Sequence, residues 1–147
     1  MTAGALLIDG KAKELVISNS SSLIPDSTLK ELSDSILQAA RVKFTKTEYI
    51  SCPGCGRTLY DLQGTIARIK NAIKAKAEEN PRFATLKIGI MGCIVNGPGE
   101  MADADYGYVG AGPNKISLYK NKVCIEKSIP EANAVEKLIE FIENDIK

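Results

Sequence analysis

Two short segments hold the side chains of this sequence best suited to chemistry. Cys52-Pro53-Gly54-Cys55-Gly56-Arg57-Thr58 carries a pair of thiols separated by two residues. Met91-Gly92-Cys93-Ile94-Val95-Asn96-Gly97-Pro98-Gly99-Glu100 carries a third thiol and a carboxylate. Pro53 and Gly54 tighten the first turn, so both of its sulfurs can face one centre. Backbone N–H groups in such a turn point inward and stabilise thiolate and sulfide charge. Cys93 follows a strand-like run and can reach the same centre, and the stiff Gly97-Pro98-Gly99 loop can swing Glu100 back over it. Three thiolates and one carboxylate make a poor structural zinc site, which prefers four nitrogen or sulfur ligands. They suit a 4Fe–4S cubane better, with three irons held by soft sulfur and the fourth by a hard, exchangeable oxygen. An iron held in that way can bind substrate and pass electrons into it.

Other readings of the same residues stand beside this one. A C-x-x-C pair alone also serves zinc or a redox dithiol, and Cys93 with its glycine-rich surroundings brings cluster binding to even terms with those uses. Cys124, inside Val123-Cys124-Ile125, reads as a small buried hydrophobe rather than a ligand. Asn96 suits a turn position with positive φ and equally a contact to substrate. Arg57 and Lys115 read as surface charges, and Asp103 and Asp105 as turn residues.

The elements that must position these loops lie in a chain of 147 residues, a length that suits one domain. Hydrophobic residues make up 44% and charged residues 25%, as in an ordinary globular protein. The net charge of +1 gives no strong pull toward nucleic acid or a membrane surface, and the absence of Trp argues against a base-stacking platform. There is no histidine, which removes histidine-based acid–base catalysis and every histidine-containing zinc site within this chain. Four cysteines are too few for a secreted disulfide scaffold of this size, so a reducing, cytoplasmic compartment is expected. No run of about 18 apolar residues could span a membrane, and the first ten residues lack the basic start of a signal peptide.

Periodicity supplies the frame. Gly4 to Asp9 and Glu14 to Ser18 read as short strands, and Asn19 to Ser22 as a serine-rich loop. Ser27 to Ala40 has apolar residues at helical spacing. Glu48 to Ser51 is a strand feeding the first cysteine loop. Leu62, Ile66, Ile69 and Ile73 form a helical stripe that runs to about Ala77 and ends at Asn80-Pro81. Thr85 to Met91 alternates as a strand and runs into the second loop. A strand over Tyr106 to Val109 and a hairpin of Ile116–Tyr119 with Val123–Glu126 follow. Pro130 then starts a last helix with Val135, Leu138, Ile139 and Ile142 on its apolar face. This order predicts an α+β fold, a mixed sheet with helices mainly on one face.

Taken together, the two loop motifs are highly specific. The chain resembles the C-terminal iron–sulfur domain of the 4-hydroxy-3-methylbut-2-enyl diphosphate synthases, the reductive enzymes of the non-mevalonate (methylerythritol phosphate) isoprenoid pathway. The likeness runs from Gly4–Gly10 through Lys46–Ser51 and Gly99–Gly110 to the last helix, nearly the whole chain. The string Met101-Ala102-Asp103-Ala104-Asp105-Tyr106-Gly107 resembles the long form of the enzyme, found in plants, chlamydiae and some other bacteria. The resemblance implies a fold like the domains of sulfite and nitrite reductases. It implies that Cys52, Cys55, Cys93 and Glu100 ligate one 4Fe–4S cluster, with Glu100 and Asn96 at the substrate. The substrate implied is 2-C-methyl-D-erythritol 2,4-cyclodiphosphate, opened by two electrons from flavodoxin or ferredoxin. The family also carries an N-terminal TIM barrel that binds the diphosphate, and the barrel of one subunit meets the cluster domain of another. Residues 1–147 are therefore expected to be the reductase domain alone, inactive without the barrel and working within a homodimer. A small ferredoxin-like carrier or a structural zinc module is the alternative reading.

Overall fold

A computed structural model describes residues 2–19, 23–95 and 97–147. The chain falls into two compact units, Met1–Thr45 and Lys46–Lys147.

In the first unit, helix α1 spans Thr2–Ile8 and α2 spans Asp26–Ala39. The expected strand over Gly4 to Asp9 is thus a helix. Its apolar residues are mostly Ala and Leu, good helix formers. Gly10, which reads as a strand end, is instead the left-handed residue that closes the last turn, with φ of 70°. The Gly10 and Lys11 amides donate to the Leu7 and Leu6 carbonyls at 3.1 and 2.9 Å. The expected strand over Glu14 to Ser18 is also absent. This segment is irregular, Val16 is exposed, and the Leu15 carbonyl accepts from the Ser33 hydroxyl of α2. A short apolar run becomes a strand only beside a pairing partner, and none exists among the described residues of this unit. Helix α2 matches the helical stripe, burying Leu29, Ser33 and Leu37.

The second unit is a five-stranded mixed sheet in the order β1-β2-β3-β4-β5. Strand β1 is Glu48–Ser51, β2 is Lys87–Met91, β3 is Tyr106–Gly112, β4 is Lys115–Lys120 and β5 is Val123–Pro130. The pairs β1/β2 and β2/β3 are parallel, with Ser51 opposite Ile90 and Met91 opposite Val109. The pairs β3/β4 and β4/β5 are antiparallel. Helix α3, Leu62–Glu79, is the crossover that makes β1 and β2 parallel. The Asp61 side chain caps it by accepting from the Gly64 amide at 3.0 Å. Strand β2 starts later than the alternation predicts because Pro81–Thr85 folds as a 3-10 turn, capped by Asn80. A one-turn helix α4, Gly97–Glu100, follows the second loop, and α5, Glu131–Asp145, closes the unit.

Strand side chains alternate between two faces. Ile88, Ile90, Tyr106, Tyr108, Ile116, Leu118 and Ile129 join Ile66, Ile69 and Ile73 of α3 and Leu138 and Ile142 of α5 in the larger core cluster. Helices therefore cover mainly one face, as expected. On the other face Met91, Val109 and Tyr119 pack with Met101 and Ala104 of the loop after α4. Among the described residues no helix is long and apolar enough to cross a membrane.

Leu138 is fully buried at the centre of the helix-covered face. Leu138→Ala should cost about 3 kcal/mol of stability through lost burial and the cavity left behind. Urea denaturation with an unchanged m-value would check this.

Candidate metal centre

Strands β1 and β2 end at the same edge of the sheet because they are parallel neighbours. The chain leaves β1 directly into Cys52 and leaves β2 through Gly92 into Cys93. Sites in sheets of this kind form outside the carboxyl ends of such strands. The Cys52 amide donates to the Ile90 carbonyl at 3.4 Å, which carries the ladder one residue beyond β1. The first loop then turns at Cys55–Thr58. The Thr58 amide donates to the Cys55 carbonyl at 2.9 Å, and the Thr58 hydroxyl accepts from the Cys55 amide at 3.3 Å.

Cys52, Cys55, Cys93 and Glu100 line one cavity of about 150 Å3, with Gly54, Met91 and Gly97 between them. All three loop cysteines are free thiols; Cys52 and Cys93 are half-buried, while Cys55 and Glu100 are exposed. The Gly92 amide donates to Cys52 Sγ at 3.2 Å. Among the described residues no three acidic or cysteine side chains converge tightly enough to hold a single metal ion.

Two close backbone approaches shape this cavity. A Cβ on Gly92 would stand 2.2 Å from the Thr58 hydroxyl, and one on Gly110 of β3 would stand 2.2 Å from the Gly92 carbonyl oxygen. Glycine at both positions lets the two cysteine loops and β3 touch. Glu100 is placed by its neighbour Met101, which is 1% exposed. Met101 fills the groove left by missing side chains on Gly89 and Gly107; a Cβ there would come within 2.6 Å of its Cβ and 2.5 Å of its Sδ respectively. Behind the cavity, the Tyr60 hydroxyl donates to the Met91 carbonyl at 3.0 Å, and its ring packs on Tyr108 with centroids 5.8 Å apart. Burial pushes the Tyr60 phenol far above its ordinary range, and the nearby Tyr108 and Cys52 push in the same direction.

The remaining sequence-predicted residues separate clearly. Cys124 sits in β5, half-buried against the second core cluster, away from the cavity lining. It is less buried than a core hydrophobe would be, because β5 is the sheet edge. Arg57, Lys115 and Asp103 are exposed. Asp105 is a turn residue with a structural task, accepting from the Lys87 amide at 2.8 Å where β2 begins. Asn96 lies outside the described residues.

Residues 48–144 match the family model described as the GcpE protein C-terminal domain. The chain belongs to this family. It is 61% identical over 144 residues to a Bacteroides thetaiotaomicron protein named 4-hydroxy-3-methylbut-2-en-1-yl diphosphate synthase (flavodoxin), covering 98% of this chain and 22% of that one. Proteins of the same name from Porphyromonas gingivalis and Chlorobaculum tepidum are 54% and 50% identical, over 97% and 99% of this chain and 23% and 18% of theirs. The chain thus spans about a fifth of the length of the curated relatives it matches.

Sequence reasoning on this GcpE-family domain missed Tyr60, Thr58 and Met101. Their neighbours in sequence offered one usable sign for each: a hydroxyl or aromatic just past the C-x-x-C turn, and a large apolar residue just past the Gly-Pro-Gly turn. Nothing in the order of residues said which glycines they would pack against.

The glycine contacts give a direct test. Gly110→Ala should destabilise the protein by about 2 kcal/mol, since the new methyl meets a backbone oxygen that cannot step aside. Gly56→Ala, whose Cβ would meet nothing within 4 Å, should stay within about 0.5 kcal/mol of the parent. Thermal denaturation of both variants checks the pair; similar losses would show that the loop contact is slack.

Proposed function

We propose that Cys52, Cys55 and Cys93 hold one 4Fe–4S cluster, with Glu100 on its fourth iron, in the reductase domain of a 4-hydroxy-3-methylbut-2-enyl diphosphate synthase spanning residues 1–147. The observation that carries this reading is that these four side chains, from loops leaving adjacent parallel strands, line one small cavity. A structural zinc ion prefers four nitrogen or sulfur ligands, whereas this cavity offers three sulfurs and a carboxylate. The donor chemistry fits as well, with soft sulfur for three irons and a harder carboxylate for the fourth.

The family and the name its relatives carry support the reaction: reductive opening of 2-C-methyl-D-erythritol 2,4-cyclodiphosphate to the linear enyl diphosphate, with loss of water. Bound in this cavity, the cluster would relay two electrons, one at a time, from flavodoxin or ferredoxin to the substrate. The rest of the task falls to the chain itself. The Gly92 N–H neutralises part of the charge on Cys52. Glu100, exposed at the rim and tethered by Met101, can yield its position to a substrate oxygen without unfolding the loop. Asn96 would help position the substrate. The exposed side of Cys55 and Glu100 is where a barrel domain of the longer protein, supplied by the second subunit of a homodimer, would bring the diphosphate. The setting is the cytoplasm, or a plastid in a plant.

Anaerobic reconstitution with iron and sulfide, followed by metal and sulfide analysis and EPR, tests the core of this proposal. A colourless protein holding one tight zinc ion would sink it in favour of a structural module. Cys93→Ser should lose most of its iron, whereas Cys124→Ser should retain full content, since Cys124 does not line the cavity. Equal loss in both would mean that the ligand set is wrong.

Glu100→Cys supplies a second check. A thiolate is a softer and firmer ligand to iron than a carboxylate, so this variant should bind a cluster at least as stably. Placed in the full-length enzyme, the same change should abolish ring opening, because substrate oxygen could no longer displace the fourth ligand. Full turnover by that variant would place the chemistry elsewhere.

A further inference from the structure

We infer that Tyr60 is a positioning residue that tunes the electron affinity of the cluster through a single peptide group, without touching it. This rests on the reading of Cys52 as a cluster ligand. The Tyr60 hydroxyl donates to the Met91 carbonyl at 3.0 Å. The N–H of that same peptide, on Gly92, donates to Cys52 Sγ at 3.2 Å. The oxygen and hydrogen of a peptide are the two ends of one delocalised unit. A donor placed on the oxygen polarises the amide and strengthens what its N–H gives away, as in any chain of hydrogen bonds. The Tyr60 proton therefore reaches the sulfur as a stronger N–H···S bond.

The surroundings hold this relay in place. Gly92 itself is hemmed in, by the Thr58 side chain at its α-carbon and by Gly110 against its own carbonyl, the first atoms of the next peptide, each at a distance that leaves no room for a Cβ. The Tyr60 ring is braced by Tyr108, which is fully buried. The hydroxyl has little freedom to find another acceptor. Hydrogen bonds to ligand sulfur stabilise the more negative, reduced form of an iron–sulfur cluster and raise its potential. Strengthening such a bond raises the potential further, and removing the donor behind it lowers it.

Tyr60→Phe keeps the ring and deletes the hydroxyl. The chain and this variant, both reconstituted anaerobically, would be compared by EPR-monitored redox titration. Iron and sulfide content should be equal. The variant's potential should fall, with a change of about threefold in the ratio of oxidised to reduced cluster at a fixed potential. That corresponds to roughly 30 mV for a one-electron couple, at about 59 mV per tenfold. Site-specific monofluorination of the Tyr60 ring makes the hydroxyl a stronger donor and should move the potential the other way. If the phenylalanine variant loses its cluster, the fluorinated protein decides alone: an upward shift supports the relay and an unmoved potential overturns it. Full cluster content with unmoved potentials overturns this inference and leaves the cluster reading standing. Failure of the unmodified chain to take up a cluster overturns that reading and the relay with it.

Discussion

Because β1 and β2 lie side by side and point the same way, with Ser51 opposite Ile90, the chain must leave both strands at one edge of the sheet. Cys52 follows the first strand and Cys93 the second, so the two loops face each other before any loop contact is made. Antiparallel pairing would have sent the loops to opposite edges. What enforces the parallel arrangement is the crossover through α3, whose Ile66, Ile69 and Ile73 are buried against Ile88 and Ile90. The hydrophobic side of that helix is therefore indirectly responsible for bringing sulfur to sulfur. Gly92 then joins the strands to the chemistry, as its amide donates to the sulfur on the opposite loop.

The two faces of the sheet divide the work. One face is built from branched aliphatic side chains and aromatic rings under α3 and α5, and it supplies most of the buried apolar area. The other is built on absences. Gly89 and Gly107 leave a trough that Met101 fills, Gly92 leaves space for the Thr58 side chain, and Gly110 lets β3 meet the backbone of Gly92. A trough and a flexible thioether hold Glu100 near the cavity while leaving its own side chain exposed.

The sequence displayed the helices and strands of the second unit well because each buries one face. The Leu62–Ile73 stripe and the Pro130 start of α5 emerge almost at the observed boundaries. The hairpin of β4 and β5 was legible too, although its turn carries Asn121 with positive φ where glycine is commoner. The first unit was not legible. Gly4 to Asp9 has no polar alternation to tell a short helix from a buried strand, and Gly10 punctuates either one. Thr85 to Leu86 read as strand because the local alternation continues through them; Asn80 and Pro81 impose the 3-10 turn by capping and by fixed φ. In the candidate site, residue type and the glycine-rich loops pointed to the four side chains that line one cavity. What they did not carry was the support: Thr58, Tyr60 and Met101 matter through contacts with glycines up to 50 positions away in the chain, such as Gly110 against the ring of Tyr60.

The lining of the cavity is uneven. Cys52 is held by a backbone donor, carried on an extended strand and packed against both core clusters. Cys55 and Glu100 are exposed and depend on short turns closed by Thr58 and Met101. A site built to keep a group permanently would bury every ligand alike, since exposure invites exchange. Here the open side carries one thiol and the carboxylate, and the two half-buried thiols, Cys52 and Cys93, lie toward the core. The carboxylate, the hardest of the four donors, stands on the solvent side beside the Cys55 thiol, where a change costs the fold least. The exposed side of the cavity and the buried sheet thus draw on different residues, so the open side can give way without loosening the sheet that carries it.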